Sequence, residues 1–187
     1  MRYNVGQTVL FMYVNFIASE PRLGNLFYPW KDELVGVNFK KLTCKEHHRV
    51  PGDWDDEIKY DGYIFSETKD GKEELYNNQY PRASYGQTDD SGNWMIVDHT
   101  TDDHHYYRDA SKHMEIILRG IHDLKEREPE WSKALQEHFD NMVKLISEQG
   151  FDVKIEPVVF KKLDGTTESY PDILCCKLTQ KEEVKTA

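Results

Sequence analysis

Long apolar segments are missing from this sequence. The longest uninterrupted apolar run covers residues 9–14, whereas a helix that crosses a bilayer needs about 20 apolar residues. The first residues also lack the basic segment, apolar stretch and small-residue cleavage site of a secretory signal. These absences predict a soluble, cytoplasmic protein that does not enter membranes.

Cysteine is scarce as well. The three cysteines are Cys44, Cys175 and Cys176, and an odd number with two adjacent residues makes a poor disulfide framework. No Cys-x-x-Cys pair is present, so a thiolate zinc site has no support. A lone cysteine such as Cys44 is typical of a small buried hydrophobe.

The glycine motifs of the large enzyme families are also absent. The chain has no Gly-x-Ser-x-Gly elbow, no Walker-type loop that ends in Lys-Ser or Lys-Thr, and no Gly-x-Gly-x-x-Gly fingerprint. We therefore assign no catalytic residue and expect no cofactor.

Two helical patterns stand back to back in residues 109–150. In each pattern, apolar residues recur at steps of three and four and so share one helix face: Met114, Ile117, Leu118, Ile121 and Leu124, then Trp131, Leu135, Phe139, Met142 and Ile146. Pro129 suits the first position of the second helix, and Gly150 suits its end. The short link between the patterns predicts an antiparallel helical hairpin.

Strand patterns flank the helices. They cover residues 9–18, 34–44, 60–67, 74–80, 94–97, 152–163 and 169–178. The dipeptides Asp70-Gly71 and Asp164-Gly165 predict tight turns, the second of them in a C-terminal β-hairpin. The order of strands, helices and strands indicates an α+β fold with a mainly antiparallel sheet. We expect one domain over residues 1–180 and a frayed tail over 181–187.

The N-terminal half also admits a small barrel. The segment Val5-Gly6-Gln7-Thr8-Val9-Leu10 resembles the way in which many SH3-like barrels open. This resemblance covers one strand, and it implies a barrel within residues 5–98.

Acidic charge is concentrated in the middle of the chain. The net charge is -10. Residues 1–52 contain 7 basic and 4 acidic side chains, residues 53–140 contain 10 and 22, and the remainder contains 7 and 8. One interpretation is a solubilising surface. The other is a binding face in which an aromatic anchor accompanies the carboxylates: Asp53, Trp54, Asp55, Asp56, Glu57, Asp89, Asp90, Asp102 and Asp103.

The second interpretation predicts a non-enzymatic protein that docks on a basic surface of a protein partner, as an inhibitor or regulator that competes with nucleic acid. Direct nucleic-acid binding is not expected, because a duplex would repel a protein of this charge. The candidate basic stripe consists of Lys40, Lys41, Lys45 and Arg49. Strand alternation would send Lys40 and Lys41 to opposite faces.

Two other hypotheses remain open. Residues 98–105 contain imidazoles and carboxylates that suit a metal-dependent hydrolase or nucleotide-processing enzyme: His99, Asp102, Asp103, His104 and His105. Their spacing differs from the i, i+4 histidine pairs of helical metal sites, and a polar loop that enters the first helix is the alternative interpretation. The last hypothesis is a small-molecule sensor with an aromatic pocket.

Overall fold

The structure is a computed structural model that describes residues 3–17, 33–51, 59–78, 95–98 and 105–181. Within these ranges the chain forms two helices and eight strands, and the strands belong to two sheets. The α+β fold class and the mainly antiparallel pairing are therefore confirmed. Neither helix combines the length and the apolar composition that crossing a bilayer requires.

The chain divides into two compact units. Residues 1–13 and 37–109 form the first unit, and residues 14–36 and 110–187 form the second. The first unit holds most of the six-stranded sheet, and the second holds both helices and the two-stranded sheet. The expected single domain over residues 1–180 stays a prediction.

Six strands build the larger sheet. Their bounds are β1 (Thr8–Ile17), β2 (Glu33–Pro51), β3 (Lys59–Lys69), β4 (Lys72–Asn78), β5 (Met95–Asp98) and β6 (His105–Asp109). The hydrogen-bonded order is β4-β3-β2-β1-β6-β5, so β4 and β5 are the edges. These two edges approach each other, which shows that the sheet is curled. In the described residues no hydrogen-bonded pair joins β4 to β5 and closes the sheet into a barrel.

The turn between β3 and β4 forms as the sequence predicts. Lys69 pairs directly with Lys72, which leaves Asp70 and Gly71 as a two-residue loop. Both residues have positive φ angles, 51° and 75°. A type I′ turn requires this conformation at both central positions, and Asp-Gly adopts it at low cost.

The core of the first unit is rich in aromatic side chains. It contains Tyr3, Val9, Phe11, Leu42, Cys44, Tyr63, Phe65, Tyr76 and Tyr107. Phe11 and Tyr3 stand edge-on to Phe65, with ring centroids 5.1 and 5.4 Å away, a favoured geometry for aromatic pairs. On β1, Leu10 and Met12 on the opposite face are buried too. β1 is therefore buried on both faces, and the predicted burial of Cys44 is confirmed.

The second unit begins with the helical hairpin. The helices are α1 (Ala110–Leu124) and α2 (Pro129–Glu148), with Pro129 at the start of α2 and Gly150 just beyond its end, as predicted. Each stripe supplies buried residues: Met114, Ile117 and Leu124 on α1, and Leu135, Phe139, Met142 and Ile146 on α2. A Cβ added at Gly120 would lie 3.0 Å from Leu135 Cδ1, so the helices pack closely there.

A long hairpin of β7 (Phe151–Lys161) and β8 (Thr167–Gln180) completes this unit. β8 packs against α1 and β7 against α2, where Phe151 and Cys176 are buried. The predicted Asp164-Gly165 turn is present, with Gly165 at a φ of 86°. Lys181, the first residue of the predicted tail, donates its backbone N–H to the Gly150 carbonyl at 2.8 Å.

One strand differs from the sequence prediction. Residues 105–109 form β6, whereas the sequence pattern indicates a metal site or a polar loop over residues 98–105 and a first helical pattern that begins at residue 109. This strand pairs with β1, where Phe11 faces Asp109, and with β5, where Ile96 faces Tyr107. The pairing with β1 joins residues that are far apart in the sequence, so a local residue pattern does not predict it. β2 likewise extends to Pro51, because its end pairs with the start of β3 at Lys59.

Candidate functional site

All nine residues of the predicted acidic face lie outside the described residues. These are Asp53, Trp54, Asp55, Asp56, Glu57, Asp89, Asp90, Asp102 and Asp103. They belong to three segments, residues 52–58, 79–94 and 99–104, each of which connects two strands of the large sheet.

Two of these segments follow strands that run in the same direction. β2 and β4 both pair antiparallel with β3, so they run in the same direction. Pro51 and Asn78, the last residues of β2 and β4, therefore leave the sheet toward the same end. Residues 52–58 and 79–94 follow directly from these two strand ends.

The alternative metal site also falls mostly outside the described residues. His99, Asp102, Asp103 and His104 lie in the segment between β5 and β6, and His105 is the first residue of β6. Asp98 and His105 pair across the two strands, so residues 99–104 connect a β-hairpin. Among the described residues, no group of three or more His, Cys, Asp or Glu side chains could hold a metal ion.

A different charged group does converge in the described part of the first unit. We call it the Lys40 cluster, and it consists of Lys40, Glu67, Glu74, Tyr76 and Tyr107. The Lys40 Nζ lies 3.3 Å from Glu67 Oε1 and donates to the Tyr76 hydroxyl at 3.0 Å. The side chains of Lys40 and Glu67 are only 13% and 21% exposed, so this ion pair is shielded from water much more than a surface pair.

Two aromatic rings complete the surroundings of the Lys40 ammonium. Its nitrogen lies 5.0 Å from the ring centroid of Tyr76 and 5.3 Å from that of Tyr107. Both distances are within the roughly 6 Å over which a ring face attracts a cation. The Tyr107 ring is supported in turn by Tyr13, at a centroid distance of 5.9 Å.

The Tyr76 hydroxyl connects the two charges. It donates to Glu67 Oε1 and lies 3.3 Å from Glu74 Oε2. Burial raises the pKa of Tyr76, and the hydrogen bond to the Glu67 carboxylate raises it further, although Lys40 acts in the opposite direction. The phenol therefore stays protonated and acts as a donor.

The sequence pattern did not identify this cluster, because its members come from β2, β3, β4 and β6. Strand alternation does indicate part of the cluster. Lys40 shares the strand face of the buried residues Leu42 and Cys44, and Glu67 shares that of Phe65. Lys41 is exposed, so the predicted separation of Lys40 and Lys41 onto opposite faces is confirmed.

Carboxylates engage a second member of the predicted basic stripe. Lys45 Nζ lies 2.9 Å from Glu73 Oε1, and the hydrogen bond from Lys45 is the main reason why the pKa of Glu73 is lowered. Lys40 and Lys45 of β2 therefore have acidic partners on β3 and β4, respectively.

Comparison of the chain with family models, with curated proteins and with solved structures found no match.

Proposed function

We propose that this protein is a non-enzymatic binding protein whose acidic segments dock on a basic surface of a protein partner. One observation carries the proposal. Three of the segments that connect strands of the large sheet, residues 52–58, 79–94 and 99–104, together contain eight acidic side chains and one basic side chain, Arg82.

The remaining carboxylates support this interpretation by contrast. Several described acidic residues have a lysine beside them, in the pairs Glu67–Lys40, Glu73–Lys45, Glu115–Lys112, Glu156–Lys177 and Glu168–Lys162. Within the three segments, by contrast, the sequence itself contains a single basic residue. Unbalanced carboxylates attract a cationic surface and accelerate its association.

Trp54 adds an apolar contact residue that the carboxylates alone do not provide. It stands within the run Asp53, Asp55, Asp56 and Glu57, and tryptophan is enriched among the residues that contribute most of the free energy of protein binding. A basic surface that binds such a segment is also one that can bind nucleic acid phosphates. We therefore propose that the protein inhibits or regulates its partner by competing with nucleic acid.

Charge reversal tests the proposal. The triple variant Asp53→Lys, Asp55→Lys, Asp56→Lys should lose capture of its partner from a cell extract, whereas the wild type should retain it. A control triple variant, Glu46→Lys, Glu148→Lys, Asp152→Lys, changes the net charge equally at exposed positions outside residues 53–140. It should capture the partner normally. Equal capture by all three proteins would contradict the proposal.

Nucleic acid tests the mode of action. Duplex DNA or RNA added to the captured complex should release the partner in proportion to its concentration. Release by neither polymer would leave docking intact and remove the competitive role.

The metal-dependent enzyme stays a hypothesis from residues 98–105. Metal analysis after purification without chelators tests it directly. Stoichiometric zinc, manganese or iron that is lost in a His104→Ala, His105→Ala variant would favour the enzyme over the binding protein.

A further inference from the structure

We infer that Glu67, Tyr76 and Tyr107 form a binding site for a primary ammonium group, and that Lys40 occupies this site from within the same chain. The site would accept a small alkylammonium ion once the Lys40 side chain is shortened. This inference concerns residues separate from the acidic segments and does not depend on the proposed function.

The contacts match what an alkylammonium ion needs. The nitrogen meets one carboxylate oxygen at 3.3 Å, one hydroxyl oxygen at 3.0 Å and two ring faces at 5.0 and 5.3 Å. The Lys40 backbone belongs to β2, whereas Glu67, Tyr76 and Tyr107 belong to β3, β4 and β6. The groups that contact the ammonium are thus held by other strands and do not require Lys40 for their connection to the sheet.

Interactions within the site hold these groups in position. The Tyr76 hydroxyl donates to Glu67, and Tyr107 packs beside Tyr13. Glu74 Oε2 lies 3.3 Å from the same hydroxyl, so a second carboxylate stands near the site. When Lys40 is shortened, the Glu67 carboxylate loses its lysine partner, and its negative charge should keep the site selective for cations.

The hydrogen bonds define the class of ligand. A primary ammonium can donate to Glu67 Oε1 and to the Tyr76 hydroxyl while its charge faces the rings. A quaternary ammonium would retain the ring contacts and lose both hydrogen bonds. We therefore expect primary alkylammonium ions to bind, and tetramethylammonium to bind weakly.

The test uses Lys40→Ala with n-propylammonium chloride, which supplies the three carbons and the nitrogen that the substitution removes. At saturating n-propylammonium, the midpoint of thermal unfolding of the variant should rise by about 3 °C relative to the same concentration of sodium chloride. The wild type and an exposed-lysine control, Lys41→Ala, should show no such rise. Adding Glu67→Gln to Lys40→Ala should abolish the response.

A second variant covers the case in which Lys40→Ala does not fold. Lys40→Met keeps about the length of the lysine stem, with a thioether sulfur in place of Cδ, and lacks the terminal nitrogen, so ammonium chloride becomes the probe. It should stabilise Lys40→Met and leave Lys41→Met unchanged. An unfolding midpoint that neither amine raises above the sodium chloride value, or that tetramethylammonium raises equally, would overturn the inference.

Discussion

Tyr76 is the residue through which the Lys40 cluster is held together. Its ring is buried in the core, while its hydroxyl accepts from Lys40 and donates to Glu67. A buried charge is tolerated only when polar partners replace the water that it has lost. The stability of the first unit should therefore depend in part on the hydroxyl oxygen of Tyr76.

We predict that Tyr76→Phe lowers the free energy of unfolding by about 1–2 kcal/mol, because Lys40 and Glu67 each lose a hydrogen-bond partner while the ring packing is retained. Urea denaturation of the two proteins measures this difference. Leu75→Ala is the control on the same strand, since Leu75 is 64% exposed, and it should change stability by less than about 0.5 kcal/mol. A Tyr76→Phe protein as stable as the wild type would show that the hydroxyl contributes nothing.

At the scale of elements, the edges of the β7–β8 hairpin are protected. An unpaired strand edge exposes N–H and C=O groups that can pair with another chain. On β8 the Cys176 N–H donates to Glu115 Oε1 of α1 at 3.0 Å. On β7, Pro157 has no N–H to offer. One edge is thus covered by a side chain and the other interrupted by a proline.

Removing Glu115 tests this protection. Glu115→Ala should lower the free energy of unfolding by about 1 kcal/mol, because the Cys176 N–H loses its acceptor, and should increase aggregation in light scattering during heating. Glu115→Gln keeps an acceptor oxygen and loses the charge that faces Lys112, so it should resemble the wild type. Equal behaviour of the alanine and glutamine variants would contradict a role for this hydrogen bond.

The helical hairpin contains a pair of histidines. His113 of α1 and His138 of α2 have ring centroids 6.3 Å apart, and burial lowers the pKa of His138 from its ordinary value. At a pH below that ordinary value the unfolded chain binds a proton that the folded chain resists. The stability contributed by neutral His138 is therefore complete above pH 6.5 and is lost as the pH falls.

His138→Gln should remove part of this acid sensitivity. Urea denaturation at pH 7.5, 6.5 and 5.5 should show a smaller loss of stability for the variant than for the wild type. His122→Gln is the control, since His122 lies on α1 but is exposed, and it should keep the wild-type pH dependence. If His138→Gln lost stability as steeply as the wild type, the acid response would arise at other groups.

At the scale of the whole molecule, the elements that local chemistry determines were predictable from the sequence. Pro129 and Gly150 mark the ends of α2, and Asp70-Gly71 forms the predicted turn between β3 and β4. β6 was not predictable in this way, because it depends on pairing with β1 and β5. The Lys40 cluster shows the same limit, since Tyr107 is far from Lys40 in the chain and comes near it because β6 and β2 both pair with β1.

The distribution of charge also belongs to this scale. The described lysines pair with several described carboxylates. By sequence, residues 52–58, 79–94 and 99–104 carry most of the net negative charge of the middle region. Strand direction leads two of these segments away from the same end of the sheet. Their combined field would make association with a cationic partner fast at low salt and slow at high salt.

The most direct test is the association rate constant of the captured partner, measured for the wild type and the Asp53→Lys, Asp55→Lys, Asp56→Lys variant at sodium chloride concentrations from about 20 to 300 mM. We predict that the wild-type rate falls at least about tenfold across this range, and that the variant associates at least about tenfold more slowly at the lowest salt. Rates that are equal for the two proteins and independent of salt would contradict an acidic docking surface.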